Sequence, residues 1–158
     1  MRKIYPLSEL KDIIEKEKRR GRKIILTNGC FDLIHVGHIR YLKEAKEKGD
    51  ILIVALNSDE SVRKIKSQGR PILNERERAE IISSFYFVDY VTIFLETNVE
   101  KVLLTLKPDI HAKGSDYTLE TVPEKDVVKQ YGGKTEITGG PKIKSTSNII
   151  KEIKNRFS

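Results

Sequence analysis

The run Ile51-Leu52-Ile53-Val54-Ala55-Leu56 contains no polar residue. A strand with one wet face alternates apolar and polar side chains. One that does not alternate is covered on both faces, as in a parallel sheet flanked by helices. A second apolar run, Ile24-Ile25-Leu26, stands upstream. Residues 23–27 read as the first strand, 37–48 as a helix ended by Gly49, and 51–56 as the second strand. This is a βαβ unit.

The remainder keeps the same alternation. Ser8 is expected to cap a first amphipathic helix, with Leu10, Ile13 and Ile14 on one face, that stops at Gly21. After Asn57-Ser58-Asp59 a short helix runs toward Lys66. A loop through Gly69-Arg70-Pro71 then leads to a helix capped by Asn74, with Glu77 three residues on. Residues 88–94 form a third strand, Asn98 opens a helix to Leu106, and Pro108 closes it. Residues 109–112 form a fourth strand, 127–131 a helix ended by Gly132-Gly133, and 134–137 a fifth strand. The last helix starts near Ser147. The expected fold class is α/β, a Rossmann-like doubly wound sheet of about five parallel strands, with the ligand in the crevice beyond their carboxyl ends.

Composition narrows the function classes. Thirty basic against 23 acidic residues give a formal charge of +7, but most interleave over residues 11–20 and 43–48 as solvated helix faces. The excess can attract anionic substrates, and no nucleic-acid partner is required. Cys30 is the single cysteine, so no internal disulfide forms, and no Cys/His spacing resembles a zinc site. There is no apolar stretch of the roughly 20 residues of a membrane span and no signal-peptide core at the N-terminus. The expectation is a cytoplasmic protein with no membrane partner.

The first strand is followed by neither G-x-x-x-x-G-K-[ST] nor G-x-G-x-x-G, which weighs against the common kinase and dehydrogenase folds. It is followed by Asn28-Gly29-Cys30-Phe31-Asp32 and then His35-Val36-Gly37-His38. A strand that turns into a helix here aims two imidazoles and a helix N-terminus at one point, where a phosphate can sit. Gly37 lets a ligand approach the backbone. A partial metal site or ordinary surface histidines would look similar, although no carboxylate or third ligand stands beside the pair at helical spacing.

With N-G-C-F-D at 28–32, H-V-G-H at 35–38, N-S-D at 57–59, R-P at 70–71, K-G-S-D-Y at 113–117 and S-T-S-N-I-I at 145–150, the chain resembles the cytidylyltransferase-like nucleotidyltransferases. Among them it looks most like the heptose-1-phosphate adenylyltransferase domains of lipopolysaccharide-core precursor synthesis. The resemblance runs in order over residues 23–150. Glycerol-3-phosphate cytidylyltransferases are the nearest competitor, but they usually carry G-T-F-D where Gly29-Cys30-Phe31-Asp32 stands here. They also have an Arg-Thr pair in place of Lys142-Ile143-Lys144. A non-catalytic nucleotide- or RNA-binding module is the alternative outside enzymes.

A length of 158 residues suits one domain with a proper core and is too short for two of ordinary size, so one domain over residues 1–158 is expected. The resemblance implies that in it a sugar 1-phosphate attacks the α-phosphorus of ATP in line and releases pyrophosphate with no covalent enzyme intermediate. It assigns catalysis to His35, His38 and Lys66, with Lys64 as the substitute for Lys66. Nucleotide contacts fall to the main chain around Gly29, Cys30 and Phe31, and to Gly37, Lys113, Gly114, Asp116, Ser145, Thr146 and Ser147. The Ser/Thr group would also serve as a simple helix cap. Lys142 and Lys144 add charge beside it. Arg70 and Arg78 offer planar forks for phosphate, with exposed helix charge the plainer reading of Arg78. Asp32 orients a substrate hydroxyl or a nearby basic group, or merely forms a turn. Cys30 reads as a packing residue rather than a nucleophile. Mg²⁺ is expected to arrive with the triphosphate, without protein ligands of its own. A homodimer and a separate upstream sugar kinase complete the expectation.

Overall fold

The computed structural model describes residues 1–141 and 144–158. Among them β1 (Ile24–Gly29), β2 (Ile51–Asn57), β3 (Tyr90–Phe94), β4 (Ile110–Gly114) and β5 (Lys134–Thr138) form one sheet. All of its ladders are parallel, in the order β3-β2-β1-β4-β5. The helices are α1 (Leu7–Arg19), α2 (Val36–Glu47), α3 (Asp59–Ile65), α4 (Glu75–Ser83), α5 (Glu100–Leu106), α6 (Lys125–Gln130) and α7 (Thr146–Phe157).

Every residue of β2 is buried, and its side chains divide by parity between two cores. Leu52, Val54 and Leu56 pack with Ile25, Ala112, Leu42 of α2 and Ile82 of α4. Ile51, Ile53 and Ala55 pack with Leu26, Leu10 and Ile14 of α1, Leu103 of α5 and Val128 of α6. The doubly wound architecture expected from the unbroken apolar run is therefore the one adopted. Because β1 lies between β2 and β4, the chain's winding direction reverses there, and a crevice opens above those two strands at the carboxyl edge.

Local rules set most helix starts. Asn74 Oδ1 accepts the Glu77 N–H at 2.9 Å while Glu77 Oε2 accepts the Asn74 N–H at 3.1 Å, the reciprocal pair expected from sequence. The first helix differs: it begins at Leu7 after Pro6, not under a Ser8 cap. The approach to it is pinned instead, since the Tyr5 N–H donates to the Val91 carbonyl at 3.0 Å beside the Ile4–Val91 bridge. The strands β1 and β4 each run two residues further toward the crevice than the apolar pattern indicated, carrying Asn28 and Lys113 to the edge.

Arg78 corrects the sequence reading most. Its side chain is fully buried and serves neither substrate nor solvent. Nε donates to the Leu73 carbonyl at 3.0 Å, Nη1 to the Cys30 and Asn57 carbonyls at 2.7 and 2.8 Å, and Nη2 to Asp59 Oδ1 at 2.8 Å. One guanidinium thus ties together the exits of β1 and β2, the start of α3 and the entry to α4. The signal is a planar donor fork on the inner face of α4, which looks like surface charge in the sequence because Arg76 and Glu80 flank it. Arg78→Leu is expected to destabilise the fold by about 3–5 kcal/mol, since it strands Asp59 and the carbonyls together. Urea unfolding would measure this, and a loss below about 1 kcal/mol would contradict the clamp.

Candidate active site

The crevice is a cleft of about 760 Å³ whose wall includes the exits of β1, β2 and β4 and the N-termini of α2 and α7. Of the site residues expected from sequence, those among the described residues line it, except Arg78 and the substitute Lys64.

At its centre the histidines are part of the helix cap itself. His35 is the N-cap of α2, and its Nδ1 accepts the Gly37 N–H at 3.1 Å. His38 Nδ1 reaches back to accept the His35 N–H at 3.2 Å. A ring nitrogen that accepts an N–H carries no proton, so each neutral ring is fixed as the Nε2–H tautomer. The rings stack 3.9 Å apart. Gly37 has a steric reason beyond ligand approach: a Cβ there would lie 2.9 Å from His35 Cε1. Gly29 is similar, since a Cβ would meet the Phe31 ring at 3.0 Å, and Phe31 itself takes a left-handed φ of 47°. The small residues let the chain fold back tightly at the exit of β1.

The Ser/Thr segment arrives at the same place. The position of a Cβ on Gly37 is 4.0 Å from the Lys144 carbonyl oxygen, and Lys144 to Ser147 line the same cleft as the histidines. The three hydroxyls have different partners. Ser145 Oγ accepts the Asn148 N–H at 3.1 Å as the N-cap of α7. Thr146 Oγ1 donates to the Leu33 carbonyl at 3.0 Å, which binds α7 to the loop before α2. Ser147 Oγ accepts from Arg70 Nη1 at 3.3 Å. The cap reading is therefore present, and it presents main-chain N–H groups at the positive end of α7.

Arg70 lines the cleft and is anchored by Asp32. Asp32 accepts Arg70 Nε at 2.8 Å and the Ile72 and Leu73 N–H groups at 2.8 and 2.9 Å. Burial by itself would raise this carboxyl, but the N–H groups of Leu73 and Ile72 and the arginine outweigh it and hold it below the usual range. Asp32 is 1% exposed, so the basic-group reading applies, and the substrate-hydroxyl reading is withdrawn. Lys66, at the C-terminal end of α3, faces the cleft, whereas Lys64 pairs with Glu60 at 3.5 Å and does not line it. Burial pushes the Cys30 thiol up, against the pull of Lys66 and Arg78, which suits packing rather than nucleophilic chemistry. Lys113, Gly114 and Asp116 form the β4 side of the wall. Lys142 lies outside the described residues.

Sequence reasoning missed Asn28, Asn57, Asn98 and Glu124, all of which line the cleft. A usable signal existed for the first two, because β1 and β2 both pass from an apolar run to an asparagine at the carboxyl edge. Glu124 had none.

A family model described as cytidylyltransferase-like matches residues 26–153. Bifunctional protein HldE of Geobacter metallireducens is 51% identical over 151 residues, which is 96% of this chain and 31% of that protein. The protein of the same name from Syntrophotalea carbinolica is 46% identical over 155 residues, 98% of this chain and 32% of its own length. The chain therefore spans about a third of these curated relatives. Among solved structures, the lipopolysaccharide core biosynthesis protein from Thermoplasma volcanium GSS1 matches with a TM-score of 0.64 and 32% identity, covering 74% of this chain and 94% of that one. Pantoate-beta-alanine ligase from Francisella tularensis shares the fold, with a TM-score of 0.63 at 16% identity over 99% of this chain and 77% of that one.

The capping geometry has a consequence for protonation. Burial, followed by the neighbouring His35, pushes His38 down to about 4, and burial takes His111 to about 3. Unfolded histidines titrate near 6.5, so below that pH the unfolded chain binds more protons than the folded one. The stabilisation is complete above pH 6.5 and is lost as the pH falls toward 4. The unfolding free energy from urea titration is expected to drop between pH 7 and pH 5, by on the order of 1 kcal/mol per pH unit for each histidine. His38→Asn, which keeps an acceptor near Nδ1, should flatten that slope. An unchanged slope in the variant would contradict the assignment.

Proposed function

This chain belongs to the cytidylyltransferase-like family, and we propose that it transfers the adenylyl group of ATP to D-glycero-D-manno-heptose 1-phosphate, giving ADP-heptose and pyrophosphate. One observation carries the reaction class: the His35-Val36-Gly37-His38 cap and the Ser145–Ser147 N-terminus of α7 come together on the wall of a single cleft, although more than a hundred residues separate them in sequence. The acceptor follows from the motif resemblance to heptose-1-phosphate adenylyltransferase domains. It is supported by the match to one part of the bifunctional HldE proteins and by the likeness to a lipopolysaccharide core biosynthesis protein.

The residues divide the work by charge. The main-chain N–H groups that open α7 and the ammonium of Lys144 take the outer phosphates, where the helix dipole favours anions. The Nε2–H groups of His35 and His38 donate to oxygens of the α-phosphate as it becomes five-coordinate. Their tautomer is set before the ligand arrives, so no ring reorientation accompanies the reaction. Lys66 and Arg70, which line the same cleft, supply further positive charge. An oxygen of the sugar 1-phosphate forms the new bond to the α-phosphorus as the bond to the pyrophosphate oxygen breaks, and the electron pair leaves with pyrophosphate. No protein nucleophile is needed. Positioning and charge neutralisation account for the catalysis.

Mg²⁺ fits this arrangement as a passenger of the triphosphate. Among the described residues no three His, Cys, Asp or Glu side chains converge as a metal cage, and Mg²⁺ is commonly held through phosphate oxygens and water. When bound it neutralises charge on the phosphates. Cytoplasmic location, a homodimer and supply of the acceptor by a sugar kinase activity belong to the same proposal. Among the described residues no helix is long and apolar enough to cross a membrane.

A panel of four nucleoside triphosphates against heptose 1-phosphate and glycerol 3-phosphate, read as pyrophosphate release, tests the proposal. ATP with heptose 1-phosphate is expected to be the fastest pair, and a preference for CTP with glycerol 3-phosphate would replace it by the cytidylyltransferase reading. In the productive pair, His38→Ala should lower turnover by about 10²–10³-fold, the cost of one lost transition-state donor. Near-wild-type turnover from a folded His38→Ala protein would remove that histidine from the chemistry.

A further inference from the structure

The sheet order divides the cleft laterally. β1, whose exit leads to His35 and His38, stands between β4 on one side and β2 and β3 on the other. The nucleotidyl-transfer reading gives the β4 side, with Lys113, Gly114 and Asp116, to the nucleotide. From the β2 and β3 side the cleft is lined by Asn57, Thr97 and Asn98, and that reading leaves them without a role.

These three residues are held as one unit. Asn57 ends β2 and pairs in register with Phe94, which ends β3. The Ser58 N–H donates to the Phe94 carbonyl at 2.9 Å. Asn57 Nδ2 donates to Ser61 Oγ at 2.9 Å, and Ser61 Oγ donates to the Glu96 carbonyl at 2.7 Å, one residue before Thr97. The loop that carries Thr97 and Asn98 is thereby tied to the exit of β2.

The same bonds orient both amides. The Glu96 carbonyl can only accept, so the Ser61 hydroxyl gives it its one proton and has only lone pairs left for Asn57. The NH₂ of Asn57 therefore faces Ser61, and Oδ1 is the atom left to accept from a ligand. Asn57 lines the cleft although it is only 4% exposed, so its side chain has little freedom to turn. Asn98 is set the other way. Its Oδ1 accepts the Glu100 N–H at 3.1 Å, which leaves Nδ2–H₂ to donate. The wall presents one fixed acceptor, one fixed donor and the Thr97 hydroxyl, with no charge among them.

The stereochemistry of transfer assigns a ligand to this wall. In-line displacement puts the attacking and leaving oxygens on opposite sides of the α-phosphorus. In the reading above the outer phosphates lie by α2 and α7, and α2 packs through Leu42 into one of the two cores. Asn57 keeps the parity of Ile51, Ile53 and Ala55, which face the other core. It stands across the sheet edge from α2, on the side from which an acceptor must approach.

We propose that Asn57, Thr97 and Asn98 form the hydroxyl-reading subsite for the acceptor sugar, Asn57 Oδ1 accepting from one hydroxyl and Asn98 Nδ2 donating to another. The inference rests on the nucleotidyl-transfer reading and on its placement of the nucleotide along β4. A sugar hydroxyl both donates and accepts, so a neutral wall with both kinds of partner suits a polyol and offers nothing to hold a second phosphate.

Calorimetric titration with heptose 1-phosphate tests the subsite without turnover. It is run on the free full chain and on chain saturated with α,β-methylene-ATP, whose α-phosphorus cannot release pyrophosphate. Asn57→Ala removes the acceptor and leaves the Ser61 bond to Glu96 in place. Asn98→Ser keeps an oxygen for the Glu100 N–H but loses the amide donor. Each variant is expected to bind heptose 1-phosphate about 5- to 50-fold more weakly, as for a hydrogen bond left unmade, while inorganic phosphate and the ATP analogue stay within about twofold of wild type. Circular dichroism reports the fold, and should Asn57→Ala not fold, Asn98→Ser decides alone. Unchanged heptose 1-phosphate affinity in the variants would overturn the subsite, as would a wild type that binds it no better than inorganic phosphate in both conditions. Weaker analogue binding by a folded variant would give these residues to the nucleotide's ribose and overturn it too. The expected heptose 1-phosphate losses, with no pyrophosphate released from ATP by wild type, would uphold the subsite and sink the catalytic reading. Release of pyrophosphate with unchanged variant affinities would do the reverse.

Discussion

Two buried arginines hold the working edge of this sheet together. Parallel strands end with carbonyls that have no further ladder partner, and at a crevice some of these carbonyls are buried. Buried main-chain acceptors need donors. Arg78 supplies them to Cys30 and Asn57 at once. Arg70, set on Asp32 and in contact with Ser147, joins the loop before α2 to the start of α7. Each guanidinium is balanced by a carboxylate, Asp59 in one case and Asp32 in the other. A planar fork can meet several such acceptors with fixed geometry, and a lysine ammonium cannot. The loops that line the cleft are thereby placed by the protein's own ion pairs and hydrogen bonds, not by a ligand.

Preorganisation extends to the proton positions. The histidine pair closes the N-terminus of α2 with its Nδ1 atoms, a job usually done by serine, threonine, asparagine or aspartate. A side-chain oxygen would cap as well but would bring no directed N–H on its far side. Imidazole does both, and the spacing of three residues is what lets the second ring reach back to the first residue's N–H. The glycine between them follows from this packing, because the first ring occupies the space where a Cβ would stand.

What could be read from the sequence depended on whether a property was local or periodic. The apolar run of β2 announced a sheet covered on both faces, and parity divided its side chains between the two cores as a buried strand requires. The Asn74–Glu77 box was legible because it needs only four residues. Arg78 was not, since its partners Cys30, Asn57 and Asp59 lie 48, 21 and 19 positions away, and nothing within its own helix distinguishes it from a solvated charge. Asp32 shows the same limit from the other side: one residue type fits a turn, a substrate contact and an arginine anchor, and only the folded loop at 70–73 selects among them. The extra residues at the ends of β1 and β4 escaped notice because a strand's last pairs are fixed by its neighbours, not by its own hydropathy.

In the reaction proposed for this chain, the triphosphate and the sugar 1-phosphate are both drawn to the positive charge of Lys66, Arg70 and the N-termini of α2 and α7, and electrostatics alone would let either occupy it. Discrimination must come from the parts that are not phosphate. The nucleoside and the sugar ring carry no charge of their own, so the uncharged polar groups of the cleft wall, Asn28, Asn57, Thr97 and Asn98 among them, are the ones able to tell the two substrates apart.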